Sequence, residues 1–503
     1  MANSWELRRH VRKLVAAEQG MIHKGASQAV ALLYPSAYNV GMSSLGYQTI
    51  YREINSRPDT VCERAFLPDV PDAYCQSRTP LFSFESEQPI MNFPILGISI
   101  AYELEITGLI QLLELAGLPP LAKDRGPDYP LVLGGGPLTF SNPLPIAPFV
   151  EVMILGEAEQ TIHSFLDCYQ AQPDRGVLLE QLAKQPGFYV PAVHGPILPH
   201  IAQADDESLP AYSAITTPHT ELANMFLIEA ERGCSRGCTF CVMRRSTNGG
   251  MRLVAPEKIL SLVPAEAKRV GLVGAAVSDH PRLCDILEPL VDSGREIGIS
   301  SLRAERLTPR LVELLRRGGY QTLTVASDAP SQRLRDQIEK GIKEQHLIRA
   351  AELAKAHGLR LLKVYMMIGL PGETDTDITE LIAFSKELAS IMPVALGIAP
   401  FVAKFHTPLD DAPFEDLKSL EAKLKRLHRE LGGVVKMRPT SARWAWVEYQ
   451  LAQGGPEAGL AALAAYRAGS SFAAWQQGFG ERGTGAPPLF PPLDASQCLS
   501  EAG

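Results

Sequence analysis

The chain of 503 residues is long enough for two or three domains, and its 46% hydrophobic and 21% charged residues are typical of a globular protein. Its formal net charge of −8 provides no broad positive field, so charge does not indicate a nucleic-acid partner. No apolar run reaches about 18 residues, and the amphipathic stretch from Trp5 to Leu14 lacks an uninterrupted apolar core. We therefore expect a cytoplasmic protein with neither a membrane span nor a secretory signal.

The first 200 residues alternate between predicted strands and helices. Short apolar runs predict strands at residues 29–34, 95–101, 130–133 and 150–155, and helical apolar spacing predicts helices at residues 46–55, 105–116 and 158–169. Such alternation is typical of an α/β fold with a parallel, doubly wound sheet, in which ligands bind beyond the carboxyl ends of the strands. We therefore expect a Rossmann-like domain at residues 1–200.

Two of the predicted strands end in glycine-rich turns. The first turn contains Gly134, Gly135 and Gly136, and the second contains Gly156 and Glu157. Glycine lets the backbone approach a ligand closely, although a tight loop alone would also explain each turn. The polar, proline-punctuated residues 201–221 that follow predict an interdomain linker.

Three cysteines, Cys234, Cys238 and Cys241, lie within eight residues directly after an apolar run. Soft thiolates select iron–sulfur centres or zinc over hard cations. A structural zinc site normally fills four positions, so three close thiolates indicate a metal centre with one open coordination site. A zinc site or an incidental group of thiols is the alternative. The other cysteines show no metal-type spacing, which is typical of reduced thiols: Cys62, Cys75, Cys168, Cys284 and Cys498.

Strands and helices alternate again after the cysteine motif. The predicted strands are 226–230, 270–273, 297–302, 322–326, 361–368 and 394–400, and the predicted helices are 256–268, 309–317, 331–340, 345–357 and 373–390. About six β/α units predict a partial (β/α)6 TIM barrel at residues 222–430, with its active site at the carboxyl ends of the strands. An amphipathic helix at 417–431 and the residues 431–503 predict a small helical C-terminal cap.

The cysteine spacing, with Phe240 before the last cysteine, resembles the signature of the radical S-adenosylmethionine (SAM) enzymes. The resemblance implies a [4Fe-4S] cluster on Cys234, Cys238 and Cys241, whose unique iron binds the amino and carboxylate groups of SAM. It also implies further SAM contacts from Phe240, Gly274, Ser301, Arg303, Ser331, Gly369 and Pro371. Ser331 is equally well placed to cap a helix, and Arg303 to face solvent.

The glycine turns before the linker resemble the cobalamin-binding domain found beside many radical SAM modules. The resemblance implies cobalamin contacts from Ser99, Gly134, Gly135, Gly136, Gly156 and Glu157. The loop at residues 35–46 contains no histidine, so we expect a lower axial position without a histidine from this loop. A Rossmann-like domain that has lost its ligand is the alternative.

These resemblances together predict a cobalamin-dependent radical SAM enzyme. In that family the reduced cluster cleaves SAM to a 5′-deoxyadenosyl radical, which abstracts hydrogen from an unactivated carbon, and methylcobalamin supplies a methyl group. We therefore expect a C-methyltransferase with an electron donor such as flavodoxin or ferredoxin. Its substrate stays open among small molecules, lipids, tetrapyrroles and peptides, and Lys404 and His406 are candidate substrate contacts.

Three alternative functions stay open from the sequence. A radical SAM cyclase or rearrangement enzyme would use the same machinery without methyl transfer. A methylthiotransferase would need a second cluster on three N-terminal cysteines, and the spacing of Cys62, Cys75 and Cys168 does not match that requirement. A non-catalytic cobalamin and iron–sulfur sensor would bind both cofactors but would not cleave SAM.

Overall fold

The computed structural model of the protein describes residues 3–243, 250–300 and 302–480. The predicted SAM contact Ser301, the thiol of Cys498 and the end of the predicted C-terminal cap lie outside these ranges. None of the helices in these ranges combines the length and the apolar character of a membrane span.

The N-terminal half is built on a six-stranded sheet with the strand order β2-β1-β3-β4-β5-β6. Its strands are β1 Gln28–Tyr34, β2 Thr60–Phe66, β3 Ile95–Ser99, β4 Leu131–Gly135, β5 Val152–Ile154 and β6 Phe188–Tyr189. The first five strands are parallel, and β6 pairs antiparallel with β5. The four predicted strands are confirmed within a few residues at each end.

Strand β2 was not predicted, because Glu63 and Arg64 interrupt its apolar pattern. The structure explains how the strand accommodates the charged side chain of Arg64. The guanidinium of Arg64 is fully buried and pairs with Glu18 at 2.7 Å and with Glu85 at 2.6 Å. Both partners come from distant segments, so this compensation is not visible in the local sequence.

Helices cover both faces of this sheet. They are α1 Ser4–Ala16, α2 Tyr38–Gly41, α3 Leu45–Ser56, α4 Pro71–Ser77, α5 Ile106–Leu115, α6 Thr161–Ala171, α7 Arg175–Leu182 and α8 Pro191–His194. Side chains alternate between faces along a strand, so Ala31 and Leu33 of β1 pack in the core that contains α5. Val30 and Leu32 point the other way, into the core that contains α3 and α6. This arrangement matches the predicted doubly wound layers.

The second half contains two parallel sheets, with the orders β11-β10-β7 and β12-β13-β14-β15, and a short antiparallel hairpin of β8 and β9. A parallel bridge between Leu302 and Val325 joins the two sheets. The strands are β7 Met225–Glu229, β8 Glu231–Gly233, β9 Met251–Leu253, β10 Arg269–Val273, β11 Glu296–Ile299, β12 Thr322–Ala326, β13 Leu361–Ile368, β14 Val394–Pro400 and β15 Lys436–Pro439. All six predicted strands are present, and β15 adds a further parallel strand that lies within the predicted cap.

Ten helices of the described ranges pack around these sheets and at the end of the chain. They are α9 Pro256–Leu262, α10 Leu283–Asp292, α11 Pro309–Arg317, α12 Gln332–Gln337, α13 Glu344–Ala356, α14 Asp375–Ile391, α15 Leu417–Leu431, α16 Ala442–Ala452, α17 Pro456–Arg467 and α18 Phe472–Phe479. The bounds of α11 and α15 match their predictions, and α10 was not predicted.

The C-terminal helices pack against the N-terminal half. The amide of Asn142 donates hydrogen bonds to the carbonyl oxygens of Ala452 at 3.0 Å and Gly454 at 2.7 Å. In α17, a Cβ on Gly459 would lie 2.0 Å from the carbonyl oxygen of Pro145, so only glycine permits this approach. One apolar core therefore runs from the first sheet through these helices.

Candidate functional site

The cysteine motif lies on a loop that follows the hairpin strand β8. Two contacts hold this loop against the second domain. The Thr239 amide donates to the carbonyl oxygen of Ile338 at 3.1 Å, and Arg236 pairs with Glu305 at 3.1 Å. The loop is thereby fixed beside the carboxyl ends of the parallel strands, where the sequence predicted the active site.

The three thiols can each bind a separate iron. No three His, Cys, Asp or Glu side chains of the described ranges lie close enough to share one metal ion. The cysteines of a cubic cluster each bind a different iron, so their sulfur atoms stand farther apart than ligands of one zinc ion. Burial raises the pKa of the Cys238 and Cys241 thiols, so metal binding must release protons from them. The donor set fits an iron–sulfur cluster with three cysteine ligands.

Phe240 connects the cysteine loop to the predicted adenine side of the site. Its ring packs against an apolar cluster that includes Ala329, Leu334, Ile338 and Leu370. Leu370 belongs to the Gly-Leu-Pro-Gly-Glu turn after β13, and Leu334 lies on α12. The fold therefore brings the cysteine loop into contact with two segments that lie more than 90 residues later in the chain.

The turn at residues 369–373 is stabilised by residues behind it. The Gly369 amide donates to Glu373 Oε2 at 3.0 Å, and Glu373 Oε1 pairs with Lys423 at 2.7 Å. The carbonyl oxygen of Pro371 accepts a hydrogen bond from Gln337 at 2.9 Å. Gly369 and Pro371 thus lie on a fixed turn next to the cysteine loop, and their contacts with SAM stay a prediction.

Ser331 caps helix α12, which was one of the two roles that the sequence predicted. Its hydroxyl accepts from the Leu334 amide at 3.3 Å and donates to Asp377 Oδ1 at 2.5 Å. The side chain is fully buried. The capping role is confirmed, and a contact of Ser331 with the ribose stays a prediction.

Arg303 belongs to a cluster of charges beside the cysteine loop. Its Nε donates to Glu305 Oε1 at 2.7 Å, and Asp279 Oδ1 lies 3.6 Å from the same nitrogen. Arg236 of the cysteine loop contacts the same two carboxylates. The sequence pattern indicated Arg303 alone, because Asp279, Glu305 and Arg236 come together only in the fold. The buried Arg303 does not face solvent, and its contact with the SAM carboxylate stays a prediction.

Gly274 lies against a buried carboxylate that the sequence pattern did not indicate. Glu231 is 0% exposed, and its Oε1 accepts a hydrogen bond from the Ala276 amide at 2.6 Å. A Cβ on Gly274 would lie 2.2 Å from this oxygen, so a larger residue here would displace the Glu231 side chain. Burial raises the pKa of Glu231 to about 7. The available signal was an acidic residue between an apolar strand and the first cysteine.

A cavity of about 360 Å³ lies in the N-terminal domain between one face of the sheet and helices α3 and α6. Its lining is mostly apolar and comes from β1, β3, β4 and β5, from helices α3 and α6, and from the turns that follow the strands. The cavity includes every residue that was predicted to contact cobalamin: Ser99, Gly134, Gly135, Gly136, Gly156 and Glu157. Gly136 and Gly156 have φ angles of +102° and +93°, which favour glycine. The predicted residues therefore share one site.

One side of the cavity is lined by charged residues of both domains. Arg232, which precedes the first cysteine by two residues, pairs with Glu157 at 3.2 Å, Glu159 at 2.7 Å and Glu229 at 2.7 Å. Arg252 of the hairpin also pairs with Glu157. This charge network links the cavity to the cysteine loop, and sequence analysis predicted only Glu157 from it.

Lys404 joins three parts of the chain. Its Nζ lies 2.7 Å from Glu103 Oε1 of the N-terminal domain and 2.7 Å from Glu448 Oε1 of α16. The loop that carries Lys404 follows β14, so this ion triad connects both domains and the C-terminal helices. A substrate contact from Lys404 or His406 stays a prediction.

Comparisons with known proteins agree with this geometry. Residues 228–385 match the model of the radical SAM superfamily, and residues 46–191 match the model of the N-terminal domain of radical SAM proteins. The uncharacterized protein MJ0966 of Methanocaldococcus jannaschii is 29% identical over 410 residues, covering 80% of this chain and 83% of that protein. The uncharacterized methyltransferase PH0819 of Pyrococcus horikoshii is 24% identical over 279 residues, covering 53% of this chain and 60% of that protein.

A solved structure shares the fold. The cobalamin-dependent SAM radical enzyme OxsB with aqua-cobalamin bound superposes with a TM-score of 0.51 and 14% identity, over 71% of this chain and 52% of OxsB. The family models cover the cavity domain and the cysteine loop separately, in the order that the sequence predicted. This chain therefore contains both the radical SAM domain and the N-terminal domain of radical SAM proteins.

Proposed function

We propose that this radical SAM enzyme binds cobalamin in its N-terminal domain and methylates an unactivated carbon of its substrate. When bound, the cluster and SAM supply a carbon-centred radical, and cobalamin supplies the methyl group. The observation that carries the proposal is the cavity at the carboxyl edge of the first sheet. It contains all six residues that were predicted to contact cobalamin, and it ends at residues beside the cysteine loop.

The glycine at position 97 leaves space that a larger side chain would fill. Gly97 lies between Leu32 and Leu133 in the register of the sheet, and its Cβ position faces Leu32 on the cavity side. A mostly apolar pocket of about 360 Å³ is of the size that ligands or their apolar groups occupy in proteins. We infer that a ligand group fills this space.

The volume and lining of the cavity suit one side group of cobalamin. A volume of about 360 Å³ accommodates a heteroaromatic group and its linker, but it is too small for the macrocycle. The macrocycle would therefore lie outside, at the glycine turns of residues 134–136 and 156–157. None of the described lining residues is a histidine.

Methyl transfer is favoured over methylthio transfer by the N-terminal cysteines. Cys62 lies on β2, Cys75 on α4 and Cys168 on α6, so three different elements carry them. A second cluster would need three thiols at one place. The name of PH0819 as a methyltransferase also supports this choice.

Anaerobic reconstitution with iron, sulfide and hydroxocobalamin tests the proposal. We expect a cobalamin spectrum that persists after gel filtration, and 5′-deoxyadenosine on reduction in the presence of SAM. Products from candidate substrates should gain the mass of one methyl group. Protein that forms the cluster and cleaves SAM but retains no cobalamin would refute methyl transfer and leave a cyclase or rearrangement enzyme. Failure to release 5′-deoxyadenosine would refute the enzymatic proposal.

A further inference from the structure

Strand β13 presents polar side chains on the face that the helices do not cover. Alternate residues of this strand, from Leu362 to Ile368, are buried in the core that contains the surrounding helices. Lys363, Tyr365 and Met367 lie between them and therefore point into the barrel. Tyr365 is 39% exposed, although its strand has a neighbour on each side. The space in front of this face is therefore open to solvent.

The neighbouring strand β14 leaves room beside this face. The residues that pair with the three inward-pointing residues of β13 are Ala395, Gly397 and Ala399, which have small side chains or none. A Cβ on Gly397 would lie 2.6 Å from Cδ1 of Tyr365, so the tyrosine ring lies directly over this glycine. Strands β13, β14 and β15 thus form a trough whose two sides are about 10 Å apart, since neighbouring strands are about 4.8 Å apart.

The far side of the trough is basic. On β15, Lys436 and Arg438 lie in register with the small residues of β14. Met437 between them packs in the core with the helices, so both cations point to the side of the trough. Both residues are exposed. They therefore face Lys363 across a floor of alanine and glycine.

The cations of the trough are not neutralised. Lys363 Nζ donates a hydrogen bond to Tyr365 Oη at 2.5 Å, and no carboxylate of the described ranges forms an ion pair with Lys363, Lys436 or Arg438. Lys404, by contrast, is paired with two carboxylates. Three uncompensated positive charges thus share one trough in a chain whose formal net charge is −8. This face is suited to a ligand group with negative charge.

The trough lies next to the cysteine loop. Met367 packs against the apolar cluster that Phe240 of the cysteine loop also contacts. Tyr365 and Lys363 lie two and four residues before Met367, about 7 Å and 13 Å along the strand. The expected SAM contacts lie in the other direction, at the turn of residues 369–373. The cations of the trough are therefore left for a molecule other than SAM.

We infer that the substrate carries a carboxylate or phosphate group, which Lys363, Tyr365 and Arg438 bind in the trough. This inference rests on the proposed function, in which a substrate reacts beside the cluster, and it names the chemical class of that substrate. An ammonium and a guanidinium bind either anion by charge-assisted hydrogen bonds. The Tyr365 hydroxyl accepts from Lys363 and so keeps its own proton to donate to the anion. The reacting carbon would then lie toward the cysteine loop.

Pyridoxal 5′-phosphate tests the trough while the substrate is unidentified. Its aldehyde condenses with a lysine amine and releases water, and borohydride reduces the imine to a stable secondary amine that peptide mass spectrometry locates. Pyridoxal lacks the phosphate and is the matched control reagent. The exposed Lys184 of the N-terminal domain is the control site. The protein is reconstituted with its cluster and saturated with SAM before labelling.

We expect pyridoxal 5′-phosphate to label Lys363 and Lys436 roughly 10-fold faster than pyridoxal does, the effect of one hydrogen bond to a charged group. Lys184 should react alike with both reagents. Inorganic phosphate or succinate should slow the labelling of the trough lysines, and the more effective competitor indicates whether the substrate group is a phosphate or a carboxylate.

The substitution Arg438→Met should reduce labelling by pyridoxal 5′-phosphate to the rate of pyridoxal, and Arg438→Lys should recover part of the loss. The matched control is Arg429→Met, because Arg429 is an exposed arginine of the neighbouring helix α15 and should not affect labelling. The affinity for SAM should be the same in Arg438→Met and the wild type, since the trough binds a different molecule.

Three results would overturn the inference. Equal labelling of the trough lysines by both reagents, or labelling that neither phosphate nor succinate slows, would show that the trough does not select anions. A lower SAM affinity of Arg438→Met would assign this cation to SAM. The labelling requires no turnover, so wild-type protein that labels as expected but never releases 5′-deoxyadenosine would refute the proposed function instead, which distinguishes the two failures.

Discussion

Filling the N-terminal cavity should abolish cobalamin binding and stabilise the cobalamin-free protein. The substitution Gly97→Leu places an apolar side chain on the cavity face of β3, between Leu32 and Leu133. Burial of a leucine side chain contributes about 2 kcal/mol, and removal of a strand glycine adds about 0.5 kcal/mol. Against this gain, the Leu32 Cδ1 atom lies 3.1 Å from the new Cβ and must move by a few tenths of an ångström.

We therefore expect the melting temperature of the cobalamin-free variant to rise by about 4 °C or more. Hydroxocobalamin at about 100 times its dissociation constant should stabilise the wild type by roughly 2.7 kcal/mol and leave Gly97→Leu unchanged. Differential scanning calorimetry with and without hydroxocobalamin measures both effects, and spectra after gel filtration measure retention of the cofactor.

Leu96→Val provides the control on the same strand. Leu96 is buried on the opposite face of the sheet, outside the cavity lining. This variant should lose about 1 kcal/mol of stability and keep the full response to hydroxocobalamin. If Gly97→Leu binds cobalamin like the wild type, or if its cobalamin-free form is less stable, then the cavity is not the cobalamin site that we propose.

Three further predictions concern the second domain and its junction. Cys238→Ser should lose the iron–sulfur absorbance and SAM cleavage but retain cobalamin, and loss of cobalamin as well would contradict two separate sites. Because the pKa of Glu231 is raised to about 7, wild-type stability should fall as pH rises from about 4.5 to about 7. Metal-free Glu231→Gln should therefore be more stable than the wild type by up to about 3 kcal/mol at pH 8 but not at pH 4, which thermal melts at the two pH values can test. Lys404→Met leaves the carboxylates of Glu103 and Glu448 unpaired and should cost about 2 kcal/mol, whereas the triple change with both glutamates replaced by glutamine should recover most of the loss. Equal melting temperatures for Lys404→Met and the wild type would refute a stabilising role of that triad.

Local patterns in the sequence were sufficient for most of the secondary structure. The strands 322–326, 361–368 and 394–400 and the helix 417–431 have the predicted bounds, because apolar periodicity and turn residues act over short distances. The cysteine motif and the glycine turns likewise predicted two candidate ligand regions. These patterns depend on residues close together in the sequence, and tertiary contacts did not change the elements that they predicted.

The tertiary structure decided which charges are compensated and where space is left. Strand β2 exists because Glu18 and Glu85 neutralise Arg64, and Lys404 is paired by residues of two other segments. The cavity around Gly97 and the contact between Gly274 and Glu231 follow from residues that meet only after folding. These ion pairs and this cavity form between residues that are distant in the sequence. Local sequence patterns therefore could not predict them.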